Sequence, residues 1–458
     1  MRDGSPTIAG MRARRITLTL GFAFTVMADP VSSVAYAIEA TLRSLNGDLA
    51  QLLPAMAAVI AIIGVISATY HQLIGRFPEG GGGPDGVAHA FGEGWAFIPL
   101  GALLVDFTLT VAVSCAAGAS ALIAYLPGLA SLRMPIGLGL VVVVAAGVLL
   151  GQAGRIVFAV ATLAFIVLSM WVIFSGVTAS TSSPAPDGVS VETTPMLYGA
   201  GLAPVLLAIP LGMALATGVE APSNAIAQLP QLDDRGRRRL GRLTLWLMIG
   251  IVGALTVSFA ALAVRLGTDL PPGDSTLIAE VARRATGGGP LFAAFQASSA
   301  LLLLSAAASS YLAGSGVLKA LASFGRPGEG LVPIRFARIN RFLVPEWGVA
   351  LVLVSSAALV AAGGREQRLV GFYAVAVFAS FLAATIACAR LSYRDGRRAA
   401  LTVNVIGAVL VATILIMNAT RLDGLLALLA SGGVAVYLWR MWVSRGRPGG
   451  VAAAAGSG

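Results

Sequence analysis

Twelve long apolar stretches alternate with short polar segments along the chain. Each is close to the roughly 20 residues that an α-helix needs to cross the hydrocarbon of a bilayer, so each predicts one membrane span. We number them from the first to the twelfth span. They are expected at about 16–38, 52–74, 96–126, 135–151, 155–178, 199–229, 243–264, 289–320, 346–362, 368–389, 400–418 and 424–442.

The composition agrees with an all-α polytopic membrane protein. Apolar residues make up 57% of the 458 residues and charged residues 11%, and the mean hydropathy is +0.86. Soluble globular domains carry about 25% charged residues. The segments between spans hold no paired catalytic carboxylates, nucleophile elbow or Cys/His dyad, and the glycine run 80–83 lacks the Lys-Ser/Thr of a phosphate-binding loop. We therefore do not expect an enzyme.

The basic residues predict how the chain is oriented. If the spans alternate and the N-terminus is cytoplasmic, most of the 31 Lys and Arg fall on the cytoplasmic side, including the run Arg235-Gly-Arg-Arg-Arg239. We expect a multi-pass protein of the cell or inner membrane with cytoplasmic tails at 1–15 and 443–458. The net charge of +10 is then a signal of topology, and no nucleic-acid partner is expected.

Two of the predicted spans contain helix-breaking residues next to acidic ones. Pro30 follows Asp29 in the first span, and Gly218 and Pro222 flank Glu220 in the sixth. The two breaks lie five spans apart. Paired broken helices in two halves of a chain are typical of transporters built from inverted repeats, which bind their substrate between the breaks. We expect broken helices near 28–33 and 216–222 in a transporter core at 16–390, followed by two accessory spans at 391–442.

The third span carries a stripe of oxygen-bearing side chains. Asp106, Thr110 and Ser114 are spaced at i, i+4 and i+8, so they share one face of a helix. A carboxylate inside a membrane span normally faces a cavity, a partner or a permeating ion. Carboxylates, hydroxyls and freed carbonyls are hard ligands that suit an alkali cation better than a soft metal. Helix packing through small hydroxylated residues is the alternative reading of Thr110 and Ser114.

Several segments carry a resemblance to a known family, and together they extend over nearly the whole chain. The segments are Asp29–Tyr36, Arg76–Gly83, Ala102–Ser114, Thr217–Asn224 and Phe372–Phe381. In these segments the chain resembles the amino acid-polyamine-organocation (APC) transporter superfamily, and within it looks most like the KimA-type potassium importers, with a more distant similarity to the KUP potassium transporters.

The resemblance implies a LeuT-like fold of two inverted five-helix repeats with twelve transmembrane helices, and import of potassium coupled to protons. It implies no cofactor, with the proton as coupling ion and potassium as the bound ion. Carried over position by position, the cation-binding residues are Asp29, Tyr36, Asp106, Thr110, Ser114, Thr217 and Tyr373.

The chain also departs from the family's pattern. Ala37-Ile38 stands where the family usually has Gly-Pro, and Pro84-Asp85 follows the glycine run in place of a tyrosine. KimA-type proteins carry a C-terminal cytosolic nucleotide-sensing domain, whereas this sequence ends at Gly458. A separate regulatory protein and a homodimer are therefore open as partners, besides the bilayer and the substrate.

An amino acid or polyamine is the alternative substrate, because most of the superfamily carries organic molecules. In such permeases the broken first helix offers glycine amides to the substrate carboxylate, whereas here Asp29-Pro30 lies at that position. A fixed carboxylate repels another carboxylate, so the sequence favours a cation. Asp29, Asp106 and Glu220 are the candidates for proton coupling, and bracing of the broken sixth helix is the alternative reading of Glu220.

Overall fold

The computed structural model describes residues 21–151, 154–179, 202–229, 232–271, 275–325, 330–363 and 365–456. In these residues the chain is almost entirely helical. The predicted N-terminal tail, the start of the first span and the start of the sixth span lie outside the described residues. We number the helices α1 to α17: Ala28–Ser32, Val34–Ser44, Leu49–Arg76, Gly82–Phe91, Phe97–Tyr125, Arg133–Leu149, Arg155–Thr178, Leu202–Gly212, Ala221–Ala225, Asp234–Arg265, Leu277–Thr286, Pro290–Ala322, Glu346–Gly363, Glu366–Arg394, Arg398–Ala419, Leu422–Ser444 and Val451–Gly456.

Eleven helical segments among the described residues are long and apolar enough to cross a membrane, and they coincide with the predicted second to twelfth spans. The first span is not among them, since its described part is divided into helical residues 21–26, α1 and α2. The count of twelve spans and the inverted repeat stay predictions. We call the end of the bundle that holds residues 77–81 the inner end, and the end that holds residues 45–48 the outer end.

The sixth span is broken in its middle, as the sequence predicts. Helix α8 continues as a 3-10 turn at Met213–Ala216, residues 217–220 form a non-helical turn, and α9 restarts the helix. Gly218 adopts a left-handed backbone with φ of 73°, which favours glycine. Pro222 lies in the first turn of α9, where its missing N–H costs little. Gly218 therefore breaks the helix, and Pro222 helps to restart it.

The described part of the first span is divided at Met27 and Ser33, both of which keep a right-handed helical backbone. Asp29 and Pro30 lie between them in the short α1. Ser32 and Ser33 donate side-chain hydrogen bonds of 2.7 and 2.6 Å to the carbonyls of Asp29 and Pro30, three residues earlier. Serine side chains that donate to the carbonyl one turn earlier often bend helices, as proline does.

Burial separates a central set of spans from a peripheral one. In the most apolar stretch of each span, 72% of the residues are buried in the span that contains α5 and 76% in α14. The corresponding share is 22% in both α15 and α16. The third and tenth spans therefore form the centre of the bundle, and the eleventh and twelfth lie at its edge. One face of α16 nevertheless packs closely on α5, because a Cβ at Gly101 would lie 2.6 Å from the carbonyl of Ser431.

Candidate functional site

The two broken helices meet at their breaks. A Cβ built on Gly218 would lie 2.7 Å from the ring of Pro30 and 3.1 Å from Oδ2 of Asp29. The backbone of the sixth span therefore passes directly over the Asp29-Pro30 step of the first. The Ser33 hydroxyl also points at the carbonyl of Leu215, at 3.4 Å. Two segments that are 188 positions apart in the chain thus form one surface, and a glycine makes the approach possible.

This surface offers backbone as well as side-chain oxygen. Pro30 has no N–H, so the carbonyl of Val26, four residues earlier, loses its usual helical partner. Non-helical backbone at membrane depth is tolerated where it is buried in protein or lines a cavity. The arrangement therefore concentrates acceptors around Asp29.

The polar stripe of the third span faces the bundle interior. Asp106 is 4% exposed, Thr110 1% and Ser114 0%, and each lies on α5 among residues that are mostly buried. Thr110 donates a hydrogen bond of 3.0 Å to the hydroxyl of Tyr373 on α14. Ser114 lies one turn further along the same face and makes no hydrogen bond to the described residues.

Two tyrosines from different helices, α2 and α14, pack against each other at the site. The rings of Tyr36 and Tyr373 meet edge to face with centroids 6.4 Å apart, and both side chains are buried. Asp29, Thr217 and Asp106 are all close enough to interact with the Tyr36 hydroxyl. Thr217 itself is fully buried and donates to the carbonyl of Ala214 at 3.1 Å. Six of the seven predicted residues therefore form a connected cluster, and Ser114 continues it along α5.

Four of these seven residues leave a buried oxygen without a hydrogen-bond partner among the described residues. They are Oδ1 of Asp29, the hydroxyl of Tyr36, Oδ1 of Asp106 and Oγ of Ser114. A buried polar group without a partner costs about 1–3 kcal/mol. Unpaired buried oxygens also occur elsewhere among the described residues, but those of Asp29, Tyr36 and Asp106 lie close together, and an ion or water is one explanation for such groups.

Within the part of the chain that the structure describes, the acidic groups of the site have no cationic side chain beside them. Asp29 and Glu220 are the charged groups close enough to act on Asp106, and neither Asp29 nor Glu220 forms an ion pair within the described residues. Buried charges are normally paired or bound to an ion. The site therefore calls for positive charge from a bound cation or from protons.

Glu220 lies on the inner side of this cluster, next to a tyrosine that sequence analysis did not single out. Tyr70 of α3 is fully buried and its hydroxyl donates to Oε2 of Glu220 at 3.3 Å. A lone tyrosine in an apolar span gives no signal in the sequence. Its role appears only because the fold places the second span beside the broken sixth.

The glycine run covers the inner side of Glu220. Gly82 and Gly83 begin the ten-residue helix α4. A Cβ on Gly82 would overlap Oδ1 of Asn224, and one on Gly83 would lie 3.6 Å from the Tyr70 hydroxyl. The run therefore fits against α9 because Gly82 has no side chain, whereas Gly83 lies beside Tyr70 of α3 with room for a methyl group.

A polar network at the outer end was also missed. The carboxylate of Glu39, one turn beyond Tyr36, accepts hydrogen bonds from Gln367 Nε2 at 2.6 Å and from the backbone N–H of Leu277 at 2.9 Å, besides its ion pair with Arg43. Gln367 also donates to Glu366, which in turn accepts from Ser120 at 2.7 Å. The network joins the first, third and tenth spans to α11 just outside the two tyrosines.

The fold and the site together define a multi-pass membrane transporter, and comparison with known proteins places it in a family. The model of the family described as amino acid permease matches residues 19–435, so the chain belongs to this family of the APC superfamily.

The chain is also similar to the potassium transporter KimA of Bacillus subtilis (strain 168). The two are 28% identical over 366 residues, which is 77% of this chain and 58% of that protein. The chain thus spans less than two thirds of the length of this relative.

Proposed function

We propose that this protein imports an alkali cation, potassium by preference, together with protons. The entry of the protons supplies the free energy for the import of the cation. The observation that carries the proposal is the set of four orphaned buried oxygens on Asp29, Tyr36, Asp106 and Ser114. A dehydrated alkali ion needs several oxygen ligands in place of its water, and hydroxyl, carboxylate and carbonyl oxygens supply them. The similarity to a potassium transporter supports the same substrate.

The contact between Gly218 and the Asp29-Pro30 step argues against an amino acid in the same place. A substrate carboxylate needs exposed backbone N–H groups or a cationic side chain. Pro30 has no N–H, and the described part of the site presents the carboxylates of Asp29 and Asp106. An amino acid or a polyamine is the second candidate, because the matching family model is that of amino acid permeases.

The proposed coupling uses the three carboxyl groups of the site. A bound cation favours the ionised form of a neighbouring carboxylate, and in its absence burial favours the protonated form. Proton and cation can therefore alternate on Asp29 and Asp106. Glu220, held by Tyr70 on the inner side, is the proposed group through which a proton leaves toward the inner end. We propose that the inner end faces the cytoplasm of a cell membrane, as the basic residues predict.

The test is uptake of radioactive rubidium into liposomes that contain the purified protein, with an inward proton gradient. We compare the unmodified protein with Asp106→Asn, and with Asp269→Asn as the matched control, since Asp269 is exposed. A mixture of unlabelled amino acids and polyamines serves as competitor. We expect the gradient to drive rubidium uptake. Asp106→Asn should abolish this uptake, and the competitors should not reduce it.

Two results would overturn the proposal. Absence of rubidium uptake, together with uptake of a labelled amino acid or polyamine, would move the protein to the organic substrates of its family. Equal uptake by Asp106→Asn and the unmodified protein would place the cation elsewhere. The homodimer and the separate regulatory protein stay predictions of the sequence.

A further inference from the structure

The N-terminal end of the seventh span carries arginines on one face of its helix. In α10 the arginines at 235, 238, 239 and 242 are spaced at i, i+3, i+4 and i+7, which places them on one side. Arg235, Arg238 and Arg239 are exposed, and none of the three forms an ion pair with another described residue. Positive-inside topology needs basic residues at this end of the bundle, but it does not require them to share a helix face.

The same face becomes apolar one turn further along the helix. Leu243 and Trp246 are 53% and 44% exposed, and they lie four positions after Arg239 and Arg242. An exposed leucine on a membrane-spanning helix contacts acyl chains, and tryptophan is enriched at the depth of the headgroups. The rise of about 1.5 Å per residue puts the guanidinium groups about one turn above this apolar surface, at headgroup level.

The surroundings hold this face in place without neutralising it. Arg242 donates from Nε to the carbonyl of His71 at 3.2 Å, and the Trp246 indole donates to His71 Nδ1 at 3.1 Å, so both are fixed against the second span. Asp233 caps the helix at the N–H of Gly236, and Asp234 pairs with Arg237 at 2.9 Å. The two acidic residues are thus engaged elsewhere.

Like charges at i, i+3 and i+4 on a helix repel each other. A phosphodiester relieves this repulsion, and the planar guanidinium group binds two of its oxygens at once. We propose that Arg235, Arg238 and Arg239 bind the headgroup of an anionic phospholipid whose acyl chains lie along Leu243 and Trp246. The charge of the arginines and the apolar surface beneath them together select a lipid over a soluble anion.

The site has a structural connection to the candidate transport site. Helix α10 follows α9, the second half of the broken sixth span, after a short segment that ends at the cap residue Asp233. A Cβ built on Gly241 of α10 would lie 2.7 Å from Cγ2 of Ile226, just after α9, so the two segments pack closely. A headgroup bound at the start of α10 would therefore steady the inner half of the sixth span.

The experiment compares lipids added to the purified full-length protein in a non-ionic detergent. Dioleoylphosphatidylglycerol is the anionic probe and dioleoylphosphatidylcholine its neutral counterpart, and the readout is the midpoint of thermal unfolding. We expect phosphatidylglycerol to raise the midpoint by about 5 °C and phosphatidylcholine to leave it nearly unchanged. The triple variant Arg235→Gln, Arg238→Gln, Arg239→Gln should lose this rise.

The matched control removes the same charge at the same end of the bundle but from another place. Arg394→Gln, Arg397→Gln, Arg398→Gln changes three exposed arginines around the start of α15 and should keep the full response. The single variant Arg239→Gln, expected to keep part of the response, replaces the triple variant if the latter elutes as aggregate in size-exclusion chromatography.

Three outcomes would overturn the proposal. A triple variant that responds like the unmodified protein would show that these arginines do not bind the lipid. Equal losses in both triple variants would indicate attraction by net charge alone. A rise of the same size with inorganic phosphate would show a soluble-anion site without contribution from the acyl chains.

Discussion

The hydroxyl of Thr110 donates a hydrogen bond of 3.0 Å to the hydroxyl of Tyr373, and this bond joins the third and tenth spans at the centre of the bundle. The ring of Tyr373 also packs edge to face against the ring of Tyr36, with centroids 6.4 Å apart. The two spans with the largest buried fractions thus meet through Thr110, which belongs to the stripe of α5, and Tyr373, which the family resemblance indicates.

We expect Tyr373→Phe to weaken cation binding without disrupting the fold. The ring that packs on Tyr36 remains, but one hydroxyl oxygen is lost from the site. Loss of one ligand oxygen should raise the apparent KM for rubidium roughly tenfold, which corresponds to about 1.4 kcal/mol. Tyr437→Phe, on the exposed face of the twelfth span, is the control and should leave the KM unchanged. An unchanged KM for Tyr373→Phe would remove this tyrosine from the site.

Gly218→Ala should abolish transport. The new methyl group would lie 2.7 Å from Pro30, and the left-handed backbone at φ of 73° costs a residue with a Cβ roughly 1–2 kcal/mol. The sixth span would have to move away from the first, which opens the distance between their oxygens. Gly250→Ala, where a Cβ meets nothing within 4 Å, is the control. Uptake by Gly218→Ala near that of the control would contradict the importance of this contact.

Gly82→Ala should loosen the inner end. Its Cβ would collide with Asn224, whereas a Cβ on Gly83 meets Ala384 at an ordinary 3.5 Å. The native Cys388 of the tenth span is fully buried at this end, so its alkylation by N-ethylmaleimide in a Cys115→Ala background reports opening. We expect faster labelling in Gly82→Ala and little change in Gly83→Ala. Equal labelling rates would show that the glycine run does not cover the inner side.

Glu39→Gln should destabilise the outer end. The amide would place its N–H₂ group against the donors of Gln367, Arg43 and Leu277, all of which now bind the carboxylate. Loss of such buried hydrogen bonds costs about 1–3 kcal/mol, so the thermal midpoint and the uptake rate should both fall.

Glu280→Gln is the control for this substitution, because Glu280 pairs with Arg283 at 3.2 Å nearer the surface of α11. It should change either readout less than Glu39→Gln, because it removes one ion pair whose arginine is 39% exposed, whereas Glu39 is 2% exposed and holds three donors. A midpoint for Glu39→Gln equal to that of Glu280→Gln would rule out the network as a brace of the outer end.

The sequence predicts the spans well because the requirement behind them is local. A helix needs about 20 apolar residues to cross the bilayer, and the second to twelfth spans show this requirement directly. The break in the sixth span was equally visible, since Gly218 marks it. In the first span Pro30 predicts a break near 28–33, and the helix is divided there at Met27 and Ser33 while both residues keep a helical backbone.

Only part of the candidate site could be predicted from the sequence, because some of its contacts are not local. The spacing of Asp106, Thr110 and Ser114 on one helix is visible in the sequence. Tyr70 and Glu39 could not be recognised in this way, because their hydrogen-bond partners lie more than 100 positions away. Contacts of this kind depend on how the helices pack, which no local pattern encodes. The close approach of Gly218 to Pro30 belongs to the same class.

Equilibrium binding of radioactive rubidium to the purified protein in detergent tests the central claim most directly, because it needs neither a gradient nor flux. We predict saturable binding that potassium displaces, that a mixture of amino acids and polyamines leaves intact, and that Asp106→Asn removes while Asp269→Asn retains. Saturable binding of an amino acid or polyamine with no binding of rubidium would contradict the assignment of the site to a cation.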